Sequence, residues 1–361
     1  MIGDRKVQIL IDCLKGRVRL NQLINLIKYV LGPRREIVLW QPVYLEVYTT
    51  TRCNLSCDMC LTHSTKHNNI YGQKPLKDMD FETFKNFLNT FKKSLVVSLV
   101  GCGEPLFNKD FFKMAEYAAK DMKMYASTTT NGTLINQYKA QIVNSSLDLL
   151  QVSVNGYNAD DYTRLTGMPG EYFDSIINNI AELIKARDSA NKVKPEIAVS
   201  FILDNKNYKF IREMVSLAER LSVDEIVFFH FISSPQSGFT PQERCIFSDN
   251  AEAIEEIRRV KMMKSKARIK VLLRPLDRIL CRREYELKNC CGPFYSISVD
   301  GEGNIGACNC ILLDNSNNGK FYDKDVWNGP YFREFRSRFI NPDKPVFEPC
   351  GWCNNNSSCY I

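Results

Sequence analysis

The sequence predicts an α/β protein built from repeated strand–helix units around a parallel sheet. Three observations carry that expectation. Short runs rich in β-branched and aromatic residues alternate with longer stretches of helical periodicity. The alternation repeats six times between residues 43 and 235. The unusual glycine and polar motifs fall directly after strands, at the ends where parallel α/β sheets bind ligands.

The elements follow in order. Residues 1–36 mix Val7, Leu10, Leu14, Leu20, Leu23, Ile27 and Val30 with basic residues at roughly helical spacing. Such a segment is a helical extension lying on the main domain, or a basic amphipathic helix touching a membrane surface or an anionic partner. Strands are expected at 43–49, 95–100, 123–128, 149–154, 196–202 and 224–231, with helices near 80–92, 109–121, 134–145, 172–189 and 207–221. Repeats of this kind build either an open doubly wound sheet or a partial barrel. Residues 232–250 are loop-rich. A helix near 250–265 and a short strand near 268–273 follow. After 285 come a hairpin turning at "DGEGN", a helix around 329–340 and "CGWC". The expected division is an N-terminal extension 1–40, a βα domain 41–235, a connecting segment 236–284 and a small C-terminal domain 285–361.

Composition narrows the function. The chain has 361 residues, 44% hydrophobic and 25% charged, which is ordinary for a globular protein. No apolar run reaches the roughly 18 residues of a transmembrane helix, and no signal peptide is expected. The net charge is +7, and residues 1–36 hold eight Lys/Arg against three acids, so the rest is nearly neutral. No basic stripe interleaved with aromatics runs through the body, which argues against a nucleic-acid partner. Fourteen cysteines in a long chain, several in C-x2-C patterns, fit reduced metal-holding thiolates in the cytoplasm better than disulfides.

The stretch "TTTRCNLSCDMCLTH" places Cys53, Cys57 and Cys60 at C-x3-C-x2-C, directly after the first strand. Zinc could use Cys57, Cys60, His63 and His67, but the spacing is too tight for a finger-type site. A [4Fe–4S] cluster normally takes four cysteines, and with three it keeps one iron open to another ligand. "GCGEP" (Gly101 to Pro105) follows the second strand. Three cysteines and a glycine–glutamate segment, in that order at those strand ends, resemble the radical S-adenosylmethionine (SAM) superfamily across residues 43–235.

The resemblance implies a partial (βα)6 barrel. It also implies a cluster whose open iron chelates SAM, and reductive cleavage to a 5′-deoxyadenosyl radical that takes a hydrogen atom from substrate. Cys53, Cys57 and Cys60 match the cluster ligands, and Gly101, Gly103 and Glu104 match the segment that holds the SAM amino group. Ser153 and Asn155 match ribose- or carboxylate-contacting positions, and Arg164 an arginine that pairs with the SAM carboxylate. Thr129 and Asn131 lie on the third rim, and His230 near the end of the sixth strand is weighed equally as core or as adenine or substrate contact. Met59 stands where the family commonly has an aromatic, so adenine would pack on a thioether. Cys102 interrupts the glycine pair and reads as a small buried hydrophobe.

The C-terminal region resembles the auxiliary-cluster domains of the same superfamily, SPASM and its shorter twitch form. That implies a second [4Fe–4S] cluster on Cys290 (or Cys291), Cys308, Cys350 and Cys353, with Cys310 and Cys359 as substitutes; a zinc ribbon is the alternative. Cys13 is unassigned, and Cys245 or Cys281 could return a hydrogen atom to a product radical. The expected substrate is a small oxygen-rich molecule of sugar, aminocyclitol or nucleoside type, with a ribosomal peptide as the alternative. An electron donor such as flavodoxin or ferredoxin is the expected partner. A non-catalytic iron–sulfur carrier is the third reading, and Glu104 beside an open three-cysteine site speaks against it.

Overall fold

The computed structural model describes residues 18–65, 77–231, 238–247, 249–263, 269–273, 290–308, 318–347 and 350. Helix α1 (Leu20–Leu31) precedes strand β1 (Tyr44–Tyr48). The repeats run α2 (Phe81–Thr90), β2 (Val96–Val100), α3 (Phe111–Glu116, continued by a π turn at Tyr117–Asp121), β3 (Tyr125–Thr130), α4 (Ile135–Asn144) and β4 (Leu149–Ser153). They continue with α5 (Ala159–Thr166), α6 (Glu171–Ser189), β5 (Glu196–Leu203), α7 (Ile211–Leu221) and β6 (Glu225–His230). Then come α8 (Pro241–Arg244), α9 (Ala251–Met263) and β7 (Lys270–Leu273). A helical turn α10 (Gly292–Tyr295), the hairpin β8 (Ser296–Val299) and β9 (Ile305–Gly306), and α11 (Pro330–Ile340) complete the described chain.

All six expected strands are present. The third begins two residues late, because Lys123 takes a left-handed conformation (φ 58°) that delays the extended run. A helix not expected from the sequence, α5, precedes α6 and is closed by Gly167 at φ 71°. The sheet order is β7-β6-β5-β4-β3-β2-β1-β8-β9, parallel throughout except for the β8–β9 pair. The expected C-terminal hairpin adds its first strand beside β1 in parallel register, Tyr44 opposite Ser296 and Glu46 opposite Ser298.

Side chains alternate across the strands, and the two faces differ in chemistry. Leu45, Val47, Val97, Leu99, Leu150, Val152, Val199 and Phe228 face the helices and pack with Phe84, Phe87, Met114, Ile180 and Met214 in one continuous core. The other face is the inner one. On its β4–β7 side Leu149, Ala198 and Val227 cluster with Tyr125, Phe229 and Leu272. Polar residues stand opposite them in register, Ser127 beside Leu149, Gln151 beside Ala198 and Ser200 beside Val227. Ser98, Ser127, Thr129, Gln151, Ser153 and Ser200 share that face with Glu46. No described helix is long and apolar enough to cross a membrane.

Candidate active site

The cysteine loop leaves β1 at its C-terminal end and is pinned on both sides. The Asp58 N–H donates to the Thr166 carbonyl at the end of α5 (2.7 Å), and the Asn54 amide to the Thr133 hydroxyl (2.9 Å). Backbone amides turn toward sulfur: Leu55 N to Cys53 Sγ at 3.4 Å, and Thr62 N and His63 N to Cys60 Sγ at 3.5 and 3.4 Å. The three thiols are half-buried. Burial, reinforced by Cys60 and Cys53, pushes the Cys57 thiol up to about 12, and burial raises Cys53 as well. Cys53 and Cys57, whose ionisation burial and neighbouring sulfur oppose, need a cationic centre to become thiolates together. Among the described residues no three His, Cys, Asp or Glu side chains are already gathered closely enough to hold an ion as they stand. The donor set nonetheless fits iron and sulfide: soft thiols, N–H groups aimed at sulfur, and one position left for an outside ligand.

The loop after β2 is fitted against this one through its backbone. Gly103 N donates to Thr50 O (3.2 Å) and Glu104 N to Arg52 O (2.7 Å). A Cβ on Gly103 would lie 2.0 Å from the Arg52 carbonyl oxygen, and one on Gly101 would meet the Gly103 backbone at 2.5 Å. Only glycine permits that approach. Cys102 is buried beside Tyr48, as a small hydrophobe should be, and its carbonyl accepts from the Thr62 hydroxyl at 2.6 Å.

Glu104 is where the geometry adds most to the sequence. Its carboxylate is buried and accepts from the Thr130 hydroxyl and the Asn131 N–H, both at 2.7 Å, and from Leu106 N at 3.3 Å. Burial raises its pKa while these bonds pull it down. The carboxylate thus braces the loop after β2 to the loop after β3. Asn131 extends that contact to the cysteines, its amide reaching Asn54 Oδ1 at 3.0 Å and Cys53 Sγ at 3.8 Å. Gly101, Gly103, Glu104, Asn131 and the cysteines therefore form one connected rim.

The remaining candidates divide. Thr129 and Ser153 lie on the inner face. Asn155, just beyond β4, takes a left-handed turn (φ 51°). Met59 is partly buried in the cysteine loop. Arg164 departs from the arrangement expected of it. Its guanidinium is clasped by Asp161 (2.6 Å) and Asp204 (2.7 Å), and Arg244 shares Asp204 at 3.0 Å. An arginine already neutralised by two carboxylates is a structural clamp between α5 and the end of β5. His230 is buried on the face of Ile226 and Phe228, which packs on helices, opposite Leu203 in register. Cys245 is buried, its Sγ 3.5 Å from the Phe231 carbonyl.

At the other end of β1 a second set of thiols assembles. Cys290 precedes β8 and senses Cys308, which follows β9. The Tyr331 phenol lies within electrostatic reach of both Cys308 and Cys350, and its oxygen accepts from Ala307 N at 3.4 Å. Cys291, the neighbour expected as the alternative to Cys290, is buried. Cys353, Cys310, Cys359, Cys281, Cys13 and His67 lie outside the described residues.

Sequence reasoning missed Glu46. It sits mid-strand on the inner face, in one row with Ser298, Ser98 and Ser127 across four adjacent strands. Ser298 Oγ donates to it at 2.7 Å. Burial pushes its carboxyl up to about 7, yet it keeps accessible surface, so it opens onto the interior space. The available signal was an acid at an alternating position of a first strand whose neighbours carry serine in register.

These features, a parallel βα sheet with three thiols at the mouth of its first strand, are those of the class the sequence resembles. Residues 47–196 match the family model of the Radical SAM superfamily. The match takes in 150 of the 361 residues, from within β1 to the first residue of β5, and the family it names is one for which a [4Fe–4S] cluster and SAM are implied. It is 26% identical over 196 residues to the tungsten-containing aldehyde ferredoxin oxidoreductase cofactor-modifying protein of Pyrococcus furiosus (51% of this chain, 50% of that one). To the AdoMet-dependent heme synthase of Methanosarcina barkeri it is 29% identical over 139 residues (38% of each). The chain spans about half the length of the curated relatives it matches first. Streptococcus suis SuiB bound to S-adenosylmethionine has the same fold, with a TM-score of 0.64 at 18% identity over 82% of this chain and 68% of that one.

Proposed function

We propose that this protein is a radical SAM enzyme that abstracts a hydrogen atom from a small, oxygen-rich substrate of sugar, aminocyclitol or nucleoside type, leading to oxidation or rearrangement. One observation supports the substrate class: the inner face carries Ser98, Ser127, Thr129, Gln151, Ser153 and Ser200 on the strands that follow Glu46 across the sheet. Hydroxyls and one amide at close intervals suit a ligand that exchanges many hydrogen bonds, and they would be desolvated at a loss against an apolar one.

Cys53, Cys57 and Cys60 would hold the SAM-binding [4Fe–4S] cluster. Gly101, Gly103, Glu104, Thr129, Asn131, Ser153 and Asn155 would shape the SAM pocket, with Glu104 fixing the position of two rim loops. When bound, cluster and SAM together supply a 5′-deoxyadenosyl radical. Cys290, Cys308, Cys350 and Cys353 would hold a second [4Fe–4S] cluster, for which four thiolates fill the coordination. Flavodoxin or ferredoxin is the class of reductant proposed, and cytoplasmic thiol chemistry is the setting.

The test uses the anaerobically reconstituted, reduced full chain. It should release 5′-deoxyadenosine from SAM, and the Cys53→Ala, Cys57→Ala and Cys60→Ala variants should not. Deuterated candidate polyols and nucleosides should then pass deuterium into 5′-deoxyadenosine. Absence of SAM cleavage would leave an iron–sulfur carrier. Deuterium arriving only from a peptide would replace the substrate class proposed here.

A further inference from the structure

Helix α1 is amphipathic in the reverse of the usual sense. Surface helices of soluble proteins turn their apolar side to the core. Here the inward face is Gln22, Asn25, Leu26 and Tyr29, recurring at i, i+3, i+4 and i+7. Gln22 is fully buried, and its amide donates to the carbonyls of Ser94 (2.7 Å) and Met122 (3.1 Å); Asn25 exchanges hydrogen bonds with the Gln41 backbone at 2.8 and 3.1 Å. The outward face is Leu20, Ile24, Ile27 and Leu31, at i, i+4, i+7 and i+11, exposed by 72%, 44%, 47% and 78%. Leu39, 81% exposed, adds to it. Polar groups are thus spent on anchoring the helix while its large aliphatic side chains stand in water.

Position and charge point to what meets this ridge. Ser94 and Met122 precede β2 and β3, so α1 crosses the N-terminal ends of the strands, the end opposite the cysteine loop. Around it are Lys28, Arg34, Arg35, Lys92, Lys93 and Lys123, all exposed. None of the six makes an ion pair among the described residues. Among the described residues Glu36 and Asp121 are exposed acids beside the helix, and Asp323 and Asp325 line the adjoining cleft. That cleft, about 540 Å³, is lined by Lys28 and Lys93 together with Ile24 and Leu39. An exposed aliphatic ridge bordered by cations that make no ion pair among the described residues matches a surface that is apolar below and anionic above, without demanding a shaped partner groove.

We propose that this end of the barrel is a docking face for an anionic lipid surface, with the Leu20–Ile24–Ile27–Leu31 ridge entering the interface and the surrounding Lys and Arg meeting phosphate. Docked this way, the rim with Cys53, Cys57 and Cys60 points away from the membrane toward solvent.

Vesicle cosedimentation of the full chain tests it. Vesicles of equal parts phosphatidylglycerol and phosphatidylcholine should retain the protein, and pure phosphatidylcholine should retain far less. The double variant Ile24→Asp/Ile27→Asp should lose retention, and because both side chains are exposed the fold and 5′-deoxyadenosine release should be unchanged. Lys92→Glu/Lys93→Glu should weaken partitioning, each charge removed being worth roughly fivefold near an anionic surface, and added salt should do the same. Retention on neither vesicle, or retention indifferent to Ile24 and Ile27, overturns the proposal. So does light scattering that shows a dimer split by Ile24→Asp/Ile27→Asp while vesicles retain nothing, since the ridge is then a self-association surface.

Discussion

Glu46 occupies the middle of β1, between the cysteine loop at one end and the strand pairing with Ser296 at the other. Its carboxyl is raised from 4.5 to about 7 by burial, with Ser298 partly offsetting the shift. An unfolded chain ionises this group from about 4.5 upward, while the folded chain holds its proton to about 7. Stability is therefore lost as pH climbs through that window, and above it the loss is on the order of 3 kcal/mol. Glu46→Gln should match the parent near pH 4 and exceed it in unfolding free energy above pH 7, measured by urea titration of the metal-free chain. A difference that does not vary with pH would show that the carboxyl is solvated. Glu46 escaped the sequence reading because an acid in a strand reads by default as solvent-facing. Arg164 escaped for a different reason. Asp204, which captures it, lies 40 positions away, and no local pattern announces such a pairing.

Among the elements, the loops after β2 and β3 depend on each other through Glu104. Glu104→Ala would leave the Asn131 N–H and the Thr130 hydroxyl without their acceptor, at a cost of about 2–3 kcal/mol. Thermal unfolding of the metal-free variant should show that loss, and SAM affinity of the reconstituted variant should fall with it. Unchanged stability would mean the brace is cosmetic and the carboxylate serves another purpose. The strands themselves were legible because burial follows alternation: residues such as Val97 and Leu99 face helices while Ser98 faces inward. Helix α1 was legible as a helix but not in its orientation. Its apolar spacing signals a buried stripe, and only the long-range bonds of Gln22 to Ser94 and Met122 reveal that the stripe is turned outward. The pairing of β8 with β1 was likewise hidden, since it joins residues about 250 positions apart.

At the scale of the whole molecule the two thiol sets predict its metal content. Reconstituted protein should carry about eight iron and eight sulfide, from two clusters of four. Replacing Cys53, Cys57 and Cys60 together by Ala should remove about half. Four iron accompanied by zinc would place a ribbon, not a cluster, at Cys290, Cys308 and Cys350.

Because β8 runs parallel to β1, Cys290 stands at the foot of the strand pair and Cys53 beyond its head. The five residues from Tyr44 to Tyr48 alone span about 13 Å, with the polar inner wall between the two ends. In the proposed oxidation this gives the barrel a direction. Cys53, Cys57 and Cys60 would hold the centre that receives an electron at the head, and Cys290, Cys308 and Cys350 would hold one able to take the substrate's electron at the foot, on the side where α1 crosses. Entry and exit would then not share a doorway, and a reductant seated at the head would be kept from shorting the circuit at the foot.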